Sequence, residues 1–265
     1  MIAYRRWNSL LSYLCVFLLT LLFGCAPLLR FPPSKPFSKE QTARLISHLK
    51  DQGEKIWSFQ GVGRLRFKEG GEESESNLFV VGCRPFKVRL EIAHPWGRPI
   101  SHIVVDERDI SVLSLIDNKF FRGPSSPLNI ERLSPFGLDL ESIWKILSGG
   151  VPILPHCRAV SLKPHEIILY NKRDEVVETI SFFPGPLLPR SVSFPKKSIT
   201  VRLSEFKERD VGPNPLRIKI EKGVEGQLVE IRYKDLRLNR PVPEEIFQLN
   251  PPPGFEIIQL DYQEK

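Results

Sequence analysis

The sequence predicts a mainly β domain built on one long antiparallel sheet. Three observations carry that prediction. Apolar and polar residues alternate in segment after segment, the period-two signature of a half-buried strand. Most of these segments are joined by short polar links, which favour a meander over parallel crossovers. The 265 residues include 24 prolines and 17 glycines, a composition that suits turns and disfavours long helices.

At the N-terminus, Arg5 and Arg6 precede an apolar run from Leu10 to Phe23. The run is short for a membrane-spanning helix, which needs about 20 apolar residues. Together these features have the form of an export signal, with a retained membrane anchor as the alternative. Leu22-Phe23-Gly24-Cys25 resembles the lipobox of bacterial lipoproteins, although Phe23 is bulkier than the residue usual there. The resemblance implies a signal peptide over residues 1–24, with Cys25 as the lipid-attachment residue and mature N-terminus. Ala26 replaces the aspartate that holds such proteins at the inner membrane. That implies an outer-membrane anchor with the domain facing the periplasm. An ordinary secretory peptide followed by an incidental cysteine is the other reading.

Export changes the meaning of the +7 net charge. Nucleic acid is normally absent from such a compartment, so anionic lipid headgroups or plain solubility account for it better. The cysteines change meaning too. Cys15 leaves with the signal and Cys25 carries lipid, so Cys83 and Cys157 remain. An oxidising compartment permits a disulfide between them, and two free thiols are the alternative.

Residues 25–37, "APLLRFPPSKPF" with its cysteine, read as a proline-rich tether, and residues 38–265 as the folded domain. The domain opens with an amphipathic helix. Ser38 and Gln41 have capping-box spacing, Leu45, Ile46 and Leu49 form one stripe, and Gly53 is the expected stop. From Ile56 the period becomes two. In "WSFQGVGRLRFK", Trp57, Phe59, Gly61, Gly63, Leu65 and Phe67 share a face. "FKVRLEIA", "ITVRLSE", "LRIKIEK" and "VEIRYK" repeat the pattern. Further strands are expected at Asn77–Gly82, Ser101–Val105, Ile110–Ile116, Glu166–Tyr170, Val176–Phe183 and Arg190–Phe194, making about eleven. "IDNKF" and "NKRDE" read as hairpin turns, and "EGGEESES" and "ERDVGPNP" as polar loops. One helix interrupts the strands: Leu140, Ile143, Trp144 and Leu147 fall at i, i+3, i+4 and i+7. Asp139 can cap it and Gly149-Gly150 can end it.

Motifs for chemistry are missing. The five histidines, His48, His94, His102, His156 and His165, form no helical zinc pair. No nucleophile elbow, phosphate-binding loop or dinucleotide fingerprint is present, so a non-enzymatic role without a metal or cofactor is expected. The sheet makes a different demand. About eleven strands with one apolar face and two helices must curl to protect that face and its edges. Curling produces a barrel or half-barrel enclosing a cavity, or a filled sandwich; alternation alone leaves both open.

"IWSFQGVGRLRF", "RLEIAHPWGRPISHIVVDE" and "SPFGLDLESIWKILSGGVP" resemble, in order, an opening strand, a strand–loop–strand and a helix of the LolA/LolB-like lipoprotein localisation family. The likeness is to its outer-membrane receptor branch, LolB. The tail "NRPVPEEIFQLNPPPGFEIIQLD" is similar to the carrier branch, LolA. The resemblance implies an incomplete antiparallel β-barrel of about eleven strands with helices covering the open side. It also implies binding of lipoprotein acyl chains, handed over by a LolA-like periplasmic carrier and inserted into the outer membrane by a monomer without a cofactor. Leu65, Phe67, Val88, Leu90 and Ile92 are then the cavity wall, and Trp144 and Leu147 the lid. Pro95, Trp96 and Gly97 match the family's membrane-insertion loop, where an aliphatic residue is usual, and Arg98 beside them can meet a phosphate. The alternatives are an adaptor lipoprotein on the same fold and a carrier of another lipid.

Overall fold

Alternating segments become hydrogen-bonded neighbours in one fourteen-stranded sheet. The computed structural model describes residues 35–133, 136–223 and 226–260. The export signal, Cys25 and most of the tether lie outside the described residues. Among the described residues no helix is long and apolar enough to cross a membrane.

The first run of strands is β1 (Ser58–Glu69), β2 (Glu72–Cys83), β3 (Lys87–Ala93), β4 (Pro99–Val105), β5 (Asp109–Ser114) and β6 (Lys119–Pro124). The second is β7 (Arg158–Val160), β8 (Glu166–Tyr170), β9 (Val176–Phe182), β10 (Pro189–Phe194), β11 (Ile199–Lys207), β12 (Asn214–Lys222) and β13 (Gln227–Leu238). Each run is an antiparallel meander, and pairing of β1 with β13 joins them. β14 (Glu256–Gln259) adds in parallel to β6 at one edge, and β7 forms the other edge. Among the described residues the two edges do not pair, so the barrel is incomplete, as expected.

All eleven expected strands are present, and β6, β7 and β14 are additions. β7 and β14, of 3 and 4 residues, are too short to display a period. β6 pairs with β5 through Gly123 and Pro124, but that Gly-Pro pair reads in the sequence as a breaker. The expected loop "EGGEESES" is mostly strand. Gly70 and Gly71, both at positive φ, make a two-residue hairpin turn, and Glu72–Ser76 continue as β2.

Among the described residues three α-helices accompany the sheet: α1 (Lys39–Glu54), α2 (Pro127–Leu133) and α3 (Leu140–Leu147). α1 has the expected capping box between Ser38 and Gln41. It runs one residue past Gly53, to Glu54, and is capped by Lys55, whose N–H donates to Asp51 O at 3.1 Å. α2 was not legible in the alternation, yet it has a start signal. Pro127 opens it and the Ser126 hydroxyl accepts from Asn129 N. Asp139 caps α3 by accepting from Ser142 N at 2.8 Å.

The concave side of β8–β11, and of β12 at Ile218, is filled. Ile167, Leu169, Ile180, Val201, Leu203 and Ile218 are buried there in one core with Ile46 and Leu49 of α1. Phe37, assigned to the tether, packs edge-on against Phe182 and His165, and its N–H donates to the Ser161 hydroxyl. Charged residues pair across the strands on the exposed face, as in Arg66–Glu73 and Arg202–Glu221.

Candidate functional site

The concave face of β1–β5, β12 and β13 is covered without being filled. α2, α3 and the residues leading into α3 stand over it and leave an apolar cavity of about 520 Å³. Register explains the floor. Leu65 of β1 opposes Ile231 of β13, Phe67 opposes Val229, and Leu90 of β3 opposes Ile103 of β4. Each of these side chains lines the hollow, and Ile143, Ile146 and Leu147 of α3 face it from above.

Polar lining gathers at one end. Ser74, Glu75 and Ser76 of β2 lie beside His94, because Asn77 pairs with Ala93 and brings the β1–β2 hairpin next to the end of β3. At the other end Val88, Val105 and Ile110 form a continuous apolar row, with Ile130 of α2 beside them. The cavity is therefore greasy at one end and polar at the other.

Six of the seven expected cavity residues line it: Leu65, Phe67, Val88, Leu90, Ile92 and Leu147. Trp144 does not. The stripe on α3 is wider than the cavity, and Trp144 lies on its other flank, fully buried. Its ring meets Phe59 at 5.3 Å and Phe86 at 5.9 Å, and the Arg84 guanidinium lies 5.0 Å from its centre. Arg84 also donates to Ile56 O and Gly53 O. Trp144 thus anchors α3 to β1 and the end of α1.

Two further bonds hold the end of α3. The Tyr233 hydroxyl donates to Leu147 O at 2.8 Å, and Asn214 Nδ2 donates to Ser148 O at 3.0 Å. Glycines make room for the rings on this seam. A Cβ on Gly61 would lie 2.5 Å from the Tyr233 ring, and one on Gly82 would lie 2.2 Å from Phe59.

The β3–β4 loop projects at the polar end. Gly97 N donates to His94 O and His94 N to Arg98 O, a tight turn that places Gly97 at φ +93. Asn77 Nδ2 donates to His94 O and Pro95 O from beneath. Pro95 and Arg98 are exposed, and Trp96 is 75% exposed. The Trp96 ring stacks on His94 at 4.5 Å with the planes 5° apart. His94 also lines the cavity, so the loop tip and the polar end of the hollow are one feature. Sequence reading left His94 among histidines without a role.

No disulfide joins Cys83 and Cys157; both thiols are free. Cys83 closes β2, while Cys157 precedes β7, and seven strands stand between them in the sheet. Each thiol donates instead to a carbonyl, Cys83 to Arg84 O and Cys157 to Tyr170 O.

One buried acid was missed. Glu178 of β9 shares the core face with Ile180 and Phe182, and its Oε2 accepts from Leu154 N at 2.8 Å. Its Oε1 has no hydrogen-bond partner. Burial pushes its carboxyl up to about 8, against the bond from Leu154 and the charges of Lys145 and Lys50. A charged residue in phase with the apolar positions of "VVETISF" was the available signal. Among the described residues no group of three His, Cys, Asp or Glu side chains is placed to hold a metal.

No protein-family model matches the sequence. No curated protein matches it either. Solved structures do. A LolA superfamily protein from Nitrosomonas europaea is 20% identical, with 77% of this chain and 97% of that one covered and a TM-score of 0.53. A domain named for outer-membrane lipoprotein sorting, from Vibrio parahaemolyticus, is 13% identical over 79% and 97%, with a TM-score of 0.52. A DUF1329 family protein from Desulfovibrio piger is 12% identical over 78% and 97%, with a TM-score of 0.51. At such identities it is the fold that is shared: this chain has the LolA-type architecture, an open, curled antiparallel sheet with helices over its concave side.

Proposed function

We propose that this chain is a LolB-like lipoprotein of the outer membrane, which binds the acyl chains of other lipoproteins and helps insert them into that membrane. The observation that supports this most is the hollow under α3, apolar over most of its lining and including His94, on which the exposed Trp96 stacks. An acyl chain held away from water saves about 0.8 kcal/mol per methylene. An aliphatic wall attracts without directional bonds, so it can hold a chain and also release it. An exposed tryptophan beside the polar lining suits the membrane interface, and the exposed Arg98 offers a cation to lipid phosphate.

In this reading Cys25 carries the lipid anchor, the domain faces the periplasm, and a soluble LolA-like carrier delivers the cargo to a monomer. The role is binding and transfer, with no bond made or broken and no cofactor or nucleic acid involved. An adaptor role on the same fold calls for a filled interior, and the hollow counts against it.

The test is transfer from a soluble carrier. Acylated lipoprotein should move onto this protein and unacylated lipoprotein should not. Trp96→Glu should keep cargo binding and block delivery to vesicles. Normal lipoprotein sorting after depletion would overturn the receptor reading. For the anchor, Cys25→Ala should abolish palmitate labelling and release the protein from the outer-membrane fraction.

A further inference from the structure

We infer that one corner of the sheet docks on the membrane, with Ile116 of the β5–β6 turn and Ile257 of β14 entering the lipid interface alongside Trp96. This rests on reading Trp96 as a membrane contact. It adds two residues to that contact and fixes which edge of the sheet meets the bilayer.

Exposure is the first argument. Among the described residues four large apolar side chains are more than half exposed: Trp96 at 75%, Leu162 at 64%, and Ile116 and Ile257 at 57% each. One such side chain alone would need no explanation. Three of the four gather at one corner. Ser101 pairs with Ser114, so the start of β4, just after the Trp96 turn, lies beside the end of β5, just before the Ile116 turn. Leu115 N donates to Ile100 O across the same step. Glu256 N donates to Asn118 O, which sets the start of β14 beside the Ile116 turn, and Ile257 is in register with Phe120. The two turns are two strand spacings apart, about 10 Å. Leu162 is remote, in the link between β7 and β8 at the other edge of the sheet.

Rigidity is the second. The Trp96 turn is closed by the bonds between His94, Gly97 and Arg98 and held from beneath by Asn77. In the Ile116 turn the Ser114 hydroxyl donates to Asp117 Oδ2 at 2.7 Å, and Asn118 takes positive φ. Ordered tips lose little freedom on insertion, so tips on one rigid sheet reinforce each other.

The third argument is charge, and it selects lipid. The acids of the corner are occupied: Asp117 accepts from Ser114, and Glu256 lies 4.0 Å from Lys119. Arg98 is exposed and in no ion pair among the described residues, so it can meet a lipid phosphate. Tips on separate turns suit a bilayer interface, which moulds itself to each, better than a partner protein, which needs one packed patch.

The experiment reads lipid contact site by site. The full chain carrying Cys83→Ser and Cys157→Ser is placed on vesicles of phosphatidylethanolamine and phosphatidylglycerol. A fluorescent probe is attached in turn to Trp96→Cys, Ile116→Cys, Ile257→Cys and Leu162→Cys. Lipids spin-labelled near the head group quench the probes that enter the interface. Quenching at the Ile116 and Ile257 positions should come within about twofold of that at Trp96 and exceed that at Leu162 at least fivefold. It should persist in about 1 M salt, because apolar tips make the contact. Ile116→Glu should lower delivery of lipoprotein to vesicles at least tenfold at an unchanged unfolding midpoint, and unchanged delivery would overturn its place in the contact. Quenching at Trp96 alone would overturn the corner and leave the Trp96 contact standing. Equal quenching at Leu162, or quenching lost in salt, would also overturn the corner. No quenching at any of the four positions would overturn both.

Discussion

On β8–β11 the concave side chains Ile167, Leu169, Ile180 and Leu203 are at most 1% exposed, whereas Leu65, Phe67, Leu90 and Ile92 on β1 and β3 are only half-buried and face a hollow. Both halves use the same alternation on the same sheet. The difference lies in what stands over them. Over β8–β11, α1 and the chain after α3 contribute Ile46, Leu49 and Val151 to a closed core. Over β1–β5, α3 is held by Trp144 and Tyr233 on the β1–β13 seam and by Asn214 at the start of β12, and space remains beneath it. One half acts as a foundation and the other as a container.

The largest expected effect falls on the foundation. Ile180→Ala should cost about 2–5 kcal/mol, because a cavity opens in a closed core. Ile92→Ala should cost about 1 kcal/mol, since the methylenes it loses already face space. Urea unfolding of both variants measures the contrast, and equal losses would erase the distinction between the halves.

Next comes Glu178, the buried acid of the filled half. Its carboxyl titrates at about 8 in the folded state, against 4.5 ordinarily. Between these values the folded protein holds a proton that the unfolded chain has released, so stability falls as pH rises through that window. At neutral pH the loss relative to pH 4 is on the order of 3 kcal/mol. Glu178→Gln should flatten this dependence and raise the melting temperature at pH 8 more than at pH 5. Parallel wild-type and variant profiles would contradict it.

Tyr233→Phe removes the hydroxyl at Leu147 O and should cost about 1 kcal/mol. It also tests the cover, since a loosened α3 should weaken binding of palmitate to the cavity beneath it. Trp96→Ala should be the smallest change in stability, within about 0.5 kcal/mol, because the ring is exposed. Vesicle flotation of that variant should nevertheless fall, and unchanged flotation would remove Trp96 from the membrane contact.

Strands long enough to repeat a period were readable, and so were α1 and α3, because caps and stripes are local signals. β7 and β14 depend on neighbours that only the folded sheet provides. The floor of the cavity was legible as a face: alternation put Val88, Leu90 and Ile92 together. Whether that face was packed or hollow depends on where α3 stops. That is set by Trp144 and Tyr233 meeting residues far away in sequence, so Trp144 read as lining when it is an anchor. His94 gained a role only once the β1–β2 hairpin was placed beside the β3–β4 loop.

The central claim is that an acyl chain enters the β1–β5 half and leaves the β8–β11 half untouched. Methyl-labelled NMR of the protein with ¹³C-palmitate tests it most directly. The account predicts contacts from the chain's methylenes to the methyls of Leu90, Ile92 and Ile143, and none to Leu169 or Ile180. Contacts confined to the surface around Trp96, with the methyls of Leu90, Ile92 and Ile143 unperturbed, would contradict it.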